Sequence, residues 1–227
     1  MAFWLLATRH RCLDDEHVHA QIVLFDGFDP LDAIAPFEVL AAGGDAAGGE
    51  LEVALVSAEG PRPVVSGTLG MVLNATAQLD PAKPGYVIVP GASGPVDGDP
   101  DVIDTIPVLL ARLGETDAIP LIRQAMANPD ITVATVCGGS LALAMAGLLE
   151  GRHAVTHHLG LDVLDAAGVN VVNARVVDDG DLVTAGGVTS GLDLALHLLQ
   201  RSYGARVALA VESLFAYERR GTVWTST

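Results

Sequence analysis

Cys137 is the residue in this chain best placed to do chemistry. It stands in "TVATVCGGSLALAMAGLL" (Thr132–Leu149), where a β-branched run gives way to an Ala/Leu-rich one and two glycines follow the thiol. β-Branched runs favour strand and Ala/Leu runs favour helix, so the sulfur falls at a strand-to-helix corner. Such a corner, a nucleophile elbow, lifts a side chain off the end of a sheet, and small neighbours allow the turn. A helix beginning near Ser140 would aim its N–H groups and the positive end of its dipole at the sulfur. That predicts a lowered thiol pKa and a thiolate. The bare backbone at Gly138 would offer an N–H to a developing negative charge. The competing reading is a small buried core cysteine, the usual fate of a lone thiol. The strand–Cys–Gly–Gly–helix context favours function.

A thiol does little unless another group manages protons. "FDGFDPLDAIAP" (Phe25–Pro36) offers acids. Asp29 precedes Pro30, which reads as a helix N-cap with proline at the first helical position. Asp32 then falls in the first turn. It either answers the helix dipole or turns its carboxyl to the pocket and shares a proton with Cys137. Glu38 lies one to two turns deeper. "VPGASG" (Val89–Gly94) follows another strand end, and the N–H of Gly91 or Ala92 could face the sulfur; the alternative is an ordinary glycine turn. His157 and His158 could orient a substrate or act as general base, against a structural, hydrogen-bonded reading. His197, in a Leu-rich helix, is expected to pack or face solvent, and Thr189 or Ser190 to cap that helix.

The elements that must position these groups alternate strand and helix, which predicts an α/β sandwich: a mostly parallel sheet with helices on both faces. In such sheets ligands collect at the carboxyl ends of the strands. Strands with their exit turns are read at Ala20–Phe28, Leu51–Gly60, Gly85–Gly94 and Ile131–Val136, and a hairpin at Pro63–Leu73. Helices are expected at Pro30–Gly44, Asp101–Gly114, Thr116–Asn128, Ser140–Leu149, His158–Gly168 and Thr189–Gly204, continuing through Ala205–Tyr217. "VVDDGDLVTAGG" predicts a second hairpin turning at Asp-Gly.

Composition narrows the function. Half of the 227 residues are hydrophobic, the net charge is −16, and Lys83 is the only lysine. Such a surface repels phosphate backbones and anionic membranes, so neither nucleic acid nor a membrane is expected as partner. Ile131–Leu149 carries no charge and approaches the length of a membrane span, but its β-branched half, Gly-Gly middle and Ala/Leu half read as buried strand then buried helix. Two cysteines, Cys12 and Cys137, are too few for a disulfide framework and point to a reducing cytoplasm. Residues 1–19 lack the basic start and long apolar region of a secretion signal. They are read as a loose extension, with residues 20–227 as a single domain. His10, Cys12, His17 and His19 lack strong ligand spacing and are read as a solvated tail, not a metal site. No GxGxxG, phosphate loop or elbow serine is present, so neither metal nor cofactor is expected. Cofactor-free thiol chemistry on a small molecule remains.

At these residues the chain resembles the ThiJ/PfpI family of the class I glutamine-amidotransferase-like superfamily. The resemblance covers about residues 20–204 and rests on "FDGFDPLDAIAPFEVL", "VIVPGASG", "TVATVCGGSLALAMAGLLEGRHAVTHH" and "RVVDDGDLVTAGGVTSGLDLAL". Within the family it is most similar to the isonitrile hydratase branch, to which the acid at Asp32, "AGLLEGRHAVTH" and "AGGVTSGLDLAL" belong. The resemblance implies a flavodoxin-like sandwich, a homodimer, Cys137 as nucleophile and Asp32 as its acid/base partner. It implies hydration of an isonitrile to an N-substituted formamide. The same dyad could act on an α-oxoaldehyde instead, or Cys137 could be a redox sensor oxidised to sulfinic acid. Two departures stand out. Gly138 in "CGGS" replaces the hydroxyl residue of the hydratases' "CTGS", and Ala92 replaces the second glycine of "PGG". Gly138 also excludes the histidine that protease-like relatives carry after the cysteine. No helix-turn-helix domain, as in related regulators, is expected after this fold.

Overall fold

A computed structural model describes residues 18–99 and 102–226. An eight-stranded sheet forms the middle layer. Its elements arrive in the order β1 (Val18–Val23), α1 (Pro30–Ala46), β2 (Leu51–Ser57), β3 (Arg62–Val65), β4 (Val72–Ala75), β5 (Ala77–Gln78) and β6 (Gly85–Val89). Then come α2 (Ile106–Gly114), α3 (Ala118–Met126), β7 (Ile131–Val136), α4 (Gly139–Met145), β8 (His153–Ala154) and α5 (Leu161–Ala166). The chain closes with β9 (Asn170–Val171), β10 (Val176–Asp178), β11 (Leu182–Ala185), α6 (Ser190–Tyr203), α7 (Ala205–Leu214) and β12 (Trp224–Thr225).

The strand order is β12-β10-β11-β7-β6-β1-β2-β5, parallel throughout except where β10 runs antiparallel to β11. This is the expected flavodoxin-like three-layer sandwich. The central strands are buried on both faces, which explains their unbroken apolar runs: Tyr86–Val89 and Val133–Val136 are all inaccessible to solvent or nearly so. Helices α1, α6 and α7 pack together on one face; α2, α3, α4 and α5 cover the other.

Two joints matter for the site. The β3–β4 hairpin braces the loop between β1 and α1, because Gly27 N–H donates to Val65 O (2.8 Å) and Gly67 N–H to Phe28 O (3.1 Å). That loop in turn pairs with the loop after β6, through Ser93 N–H to Gly27 O (3.1 Å) and Asp29 N–H to Gly91 O (2.8 Å). The two strand-end loops are therefore one hydrogen-bonded platform.

The boundaries depart from expectation in places. β1 begins at Val18, so Val18 and His19 belong to the sheet and not to the extension; His19 lies 3.4 Å from Glu52. His10, Cys12 and His17 lie outside the described residues, as does the expected start of α2 at Asp101. The final helix is broken at Gly204 (φ +84°) and ends at Leu214. The edge strand β12 has no signature in the sequence, since a two-residue strand has no periodicity. The Asp-Gly hairpin is present, with Gly180 at φ +84°. Thr189 occupies the N-cap of α6, but neither hydroxyl caps it. Thr189 Oγ1 accepts from Arg175 (3.0 Å), and Ser190 Oγ turns back to Gly187 O. His197 packs against the sheet, where Asp178 takes its Nε2 at 2.6 Å.

Candidate active site

Cys137 follows β7 directly and has φ +53°, a left-handed conformation that is strained for any residue with a side chain. The strain is held by bonds on both sides of the residue. Its N–H donates to Ala185 O (3.0 Å), and its carbonyl accepts from Thr156 Oγ1 (2.8 Å) and Ser140 Oγ (3.3 Å). A non-glycine residue kept at such an angle by surrounding bonds is a mark of a functional corner. Beyond a hydroxyl near a suspected elbow, nothing in the sequence marks Ser140 or Thr156 for this role.

The two glycines after the thiol do different work. A Cβ on Gly139 would sit 2.2 Å from Val89 O, so the backbone of the neighbouring strand end forbids any side chain there. A Cβ on Gly138 would meet the Leu110 side chain at 3.1 Å, a tight but yielding contact. Gly139 is required by packing; Gly138 is not.

Asp32 lies in the first turn of α1, capped by Asp29, whose Oδ1 accepts from Leu31 N–H at 2.9 Å. The Asp32 side chain is fully buried. Oδ2 accepts from Gly91 N–H at 3.0 Å, while Asp29 N–H donates to Gly91 O, so the turn of α1 grips the Gly91 peptide from both sides. A Cβ on Gly91 would stand 2.9 Å from Asp32 Oδ2 and 2.6 Å from Gly138 N. Glycine at 91 thus lets Asp32 and the corner approach each other. Oδ1 of Asp32 has no well-formed hydrogen bond among the described residues, and the Cys137 thiol is in direct interaction with the carboxyl.

The electrostatics follow from burial. Desolvation, then the Asp29 charge, pushes the Asp32 pKa up to about 8; the Gly91 N–H and the thiol oppose them without prevailing. Asp32 is therefore protonated at neutral pH. Burial also pushes the Cys137 thiol up, with the neighbouring acids Asp32 and Asp29 adding to it and the Gly138 N–H opposing. The thiolate expected from the helix dipole is overturned. Helix α4 is seven residues long, and its pull on the sulfur loses to desolvation where no lysine or arginine among the described residues lines the cavity.

The sulfur opens onto a cavity of about 360 Å³. Its walls are mostly aliphatic, including Ile106, Leu110, Leu141, Met145, Val163 and Val188, with Asp29 and His157 as the ionisable residues beside Cys137. Asp32 sits behind the sulfur and does not line the cavity. Of the backbone donors expected, Gly91 is not free, because its N–H is committed to Asp32. Gly138 and Ala92 do line the cavity, and the Ala92 N–H makes no hydrogen bond among the described residues. His157 also lines it. Its Nδ1 accepts from Leu159 N–H (3.3 Å), which leaves the ring proton on Nε2 in the neutral form. Burial, aided by His158, lowers its pKa. It is thus a neutral donor at the wall, and no hydrogen bond joins it to Cys137 or Asp32. Glu38 lies away from this cavity. Among the described residues, no group of three or more His, Cys, Asp or Glu is disposed to hold a metal ion, and no helix is long and apolar enough to cross a membrane.

A buried thiol at an elbow, a protonated carboxyl behind it and an apolar cavity in front define a cysteine site on a flavodoxin-like sheet. The chain belongs to the DJ-1/PfpI family, whose pattern matches residues 110–201. The isonitrile hydratase of Pseudomonas putida is 35% identical over 198 residues, which cover 86% of this chain and 76% of that protein. The HTH-type transcriptional regulator CdhR of Pseudomonas aeruginosa is 28% identical over 73% of this chain and 45% of its own length. In fold the chain is similar to a ThiJ/PfpI family protein of Pseudomonas syringae, with TM-score 0.72 and 22% identity, covering 90% of this chain and 76% of that one.

Proposed function

We propose that this protein hydrates an isonitrile to an N-substituted formamide, with Cys137 as nucleophile and Asp32 as acid and base. The observation that carries the reading is a thiol on a strained strand-to-helix corner in direct interaction with a fully buried carboxyl and open to an apolar cavity. The terminal carbon of an isonitrile must gain both a proton and a nucleophile. Asp32 does not line the cavity, so it gives its proton to that carbon only where the substrate is drawn onto the Cys137 sulfur, as the C–S bond forms. The S–H proton passes to the Asp32 carboxylate, so the pair ends neutral and a thioimidate is formed. Water then adds to the thioimidate carbon: Asp32 protonates the nitrogen and takes a proton from the water. Collapse of the tetrahedral intermediate breaks the C–S bond, the hydroxyl proton returns to sulfur through Asp32, and the formamide leaves. No charge separates at any stage, which suits a desolvated site. Covalent catalysis divides one hard addition into two easier ones, and the proton transfers contribute about 10²–10⁴-fold.

The N–H groups of Ala92 and Gly138 and the Nε2 proton of His157 are the donors available to the intermediate. The similarity to an isonitrile hydratase supports the substrate class. The raised thiol pKa weighs against a redox sensor, because peroxide reacts with thiolate. No feature of the cavity favours an α-oxoaldehyde. We further propose that the protein works as a homodimer in the cytoplasm. Val65, Leu69, Met71 and Val72 of the β3–β4 hairpin supply exposed apolar surface for such a contact. The test is formamide production from cyclohexyl isocyanide. Wild type turns it over and Cys137→Ala does not; an inactive wild type, or an active Cys137→Ala, refutes the assignment.

A further inference from the structure

The cavity wall nearest the sulfur is built in an unusual way. Residue 138 follows the thiol directly and has no side chain. The space a side chain would take there is filled from across the cavity by Leu110 of α2, which would lie 3.1 Å (Cδ1) and 3.5 Å (Cδ2) from a Cβ at 138. Leu110 is itself 2% exposed and lies where α2 packs on α4, so it can shift slightly but has little room to swing away. Leu110, Gly138 and Cys137 all line the same cavity. Among the described residues no lysine or arginine does, and Asp29 does, so a neutral or cationic ligand is preferred to an anionic one.

We propose that Leu110 sets the specificity of this site, admitting isonitriles on primary and secondary carbons and excluding those on a tertiary carbon, which cannot turn all its branches away from Leu110. The inference rests on the hydratase reading for its substrate, but the steric claim is separate from it. Once sulfur has bonded to the isonitrile carbon, the first carbon of the substituent lies only two bonds further on. Branches at that carbon extend sideways over Gly138, into the space that Leu110 occupies. A cut in Leu110 opens that space; a side chain at 138 closes it further. Such differences in a hydrophobic pocket are worth about 10- to 200-fold in discrimination.

The experiment compares n-butyl and tert-butyl isocyanide as kcat/KM in wild type, Leu110→Ala, Leu110→Val and Gly138→Ala. Leu110→Ala should raise the tert-butyl to n-butyl ratio about tenfold or more, Leu110→Val by less, and Gly138→Ala should lower it. A ratio unmoved in a folded Leu110 variant overturns the proposal. A second arm needs no turnover: alkylation of Cys137 by N-butyl- and N-tert-butyl-iodoacetamide, followed by peptide mass. These reagents place their branch one bond further from sulfur than the thioimidate does. The alkylation ratio should shift in the same direction in Leu110→Ala. If wild type hydrates neither isocyanide but the alkylation ratio shifts, the hydratase reading fails and the steric role of Leu110 stands. If the alkylation ratio is unmoved, the steric role fails whatever the substrate.

Discussion

Asp32→Asn should make the protein more stable while making it inactive, and the gain should grow with pH. The side chain is fully buried, and its pKa rises from an ordinary 3.8 to about 8. Below pH 3.8 both folded and unfolded chains carry the proton, and the site costs nothing. Between 3.8 and 8 the unfolded chain releases it and the folded chain keeps it, so each pH step costs folding about 1.4 kcal/mol. At pH 7 that amounts to about 4 kcal/mol, to order of magnitude, and above pH 8 it levels off. Asparagine has the same shape, carries no charge at any pH, and its carbonyl can still accept from Gly91 N–H. Its amide group must find an acceptor beside the thiol, which takes back about 1–3 kcal/mol. The net gain at pH 7 is therefore about 1–3 kcal/mol, or a few degrees in Tm for a chain of this size.

The clean quantity is the slope, not the offset. Groups that do not touch Asp32 act alike in both proteins and cancel in the difference; Cys137, whose thiol Asp32 helps raise, does not, so the comparison is made below the range where an unfolded thiol ionises. Urea unfolding of wild type and Asp32→Asn at pH 5, 6, 7 and 8 should give a difference that climbs by about 1.4 kcal/mol per pH step and begins to level near pH 8. A difference that does not change with pH would mean that Asp32 ionises normally in the folded chain. The neutral-pair mechanism would then have no basis.

Two further outcomes follow from the same geometry. The kcat/KM for an isonitrile should be level from pH 6 to 7 and fall about tenfold per pH step above 8 as Asp32 loses its proton, with the fall moved to lower pH in Asp29→Asn, since the Asp29 charge helps raise Asp32. A profile that rises through pH 8 would point to thiolate as the working form. Gly91→Ala would force a Cβ against Gly138 N and Asp32 Oδ2, so we expect a loss of about 1–3 kcal/mol in stability and at least a hundredfold in kcat, read by denaturation and by formamide release; a variant as stable and active as wild type would show that the platform can spread.

Much of the architecture was legible because it rests on local signals. β-Branched runs such as Ile131–Val136 can be nothing but buried strand in an α/β protein, Asp29-Pro30 is a helix start in two residues, and Asp179-Gly180 makes a hairpin turn. Cys137 and Asp32 were legible as candidates for the same reason, each lying at the end or start of an element. The hydroxyls at 189 and 190 misled: their position at a helix start is right, but a long-range partner, Arg175, claims the first of them. Two-residue strands such as β12 exist only through a neighbour's hydrogen bonds and leave no pattern of their own.

The charge state of the thiol was illegible for a deeper reason. A helix N-terminus lowers a thiol pKa and burial raises it, and only the first of these can be read along the chain. How deeply Asp32 and Cys137 are enclosed depends on residues up to about 100 positions away: Gly91 must lack a side chain, Gly139 must rest on Val89 O, and Leu110 must lean across Gly138. Once those contacts exclude water, no lysine or arginine among the described residues is near enough to make either anion tolerable. The site then holds one proton on oxygen and one on sulfur, and the useful act left to it is to give the first to a substrate as sulfur bonds to it while the second takes the vacated place on oxygen. An addition across a carbon that needs a proton as much as it needs a nucleophile is the chemistry such a pair is built to perform.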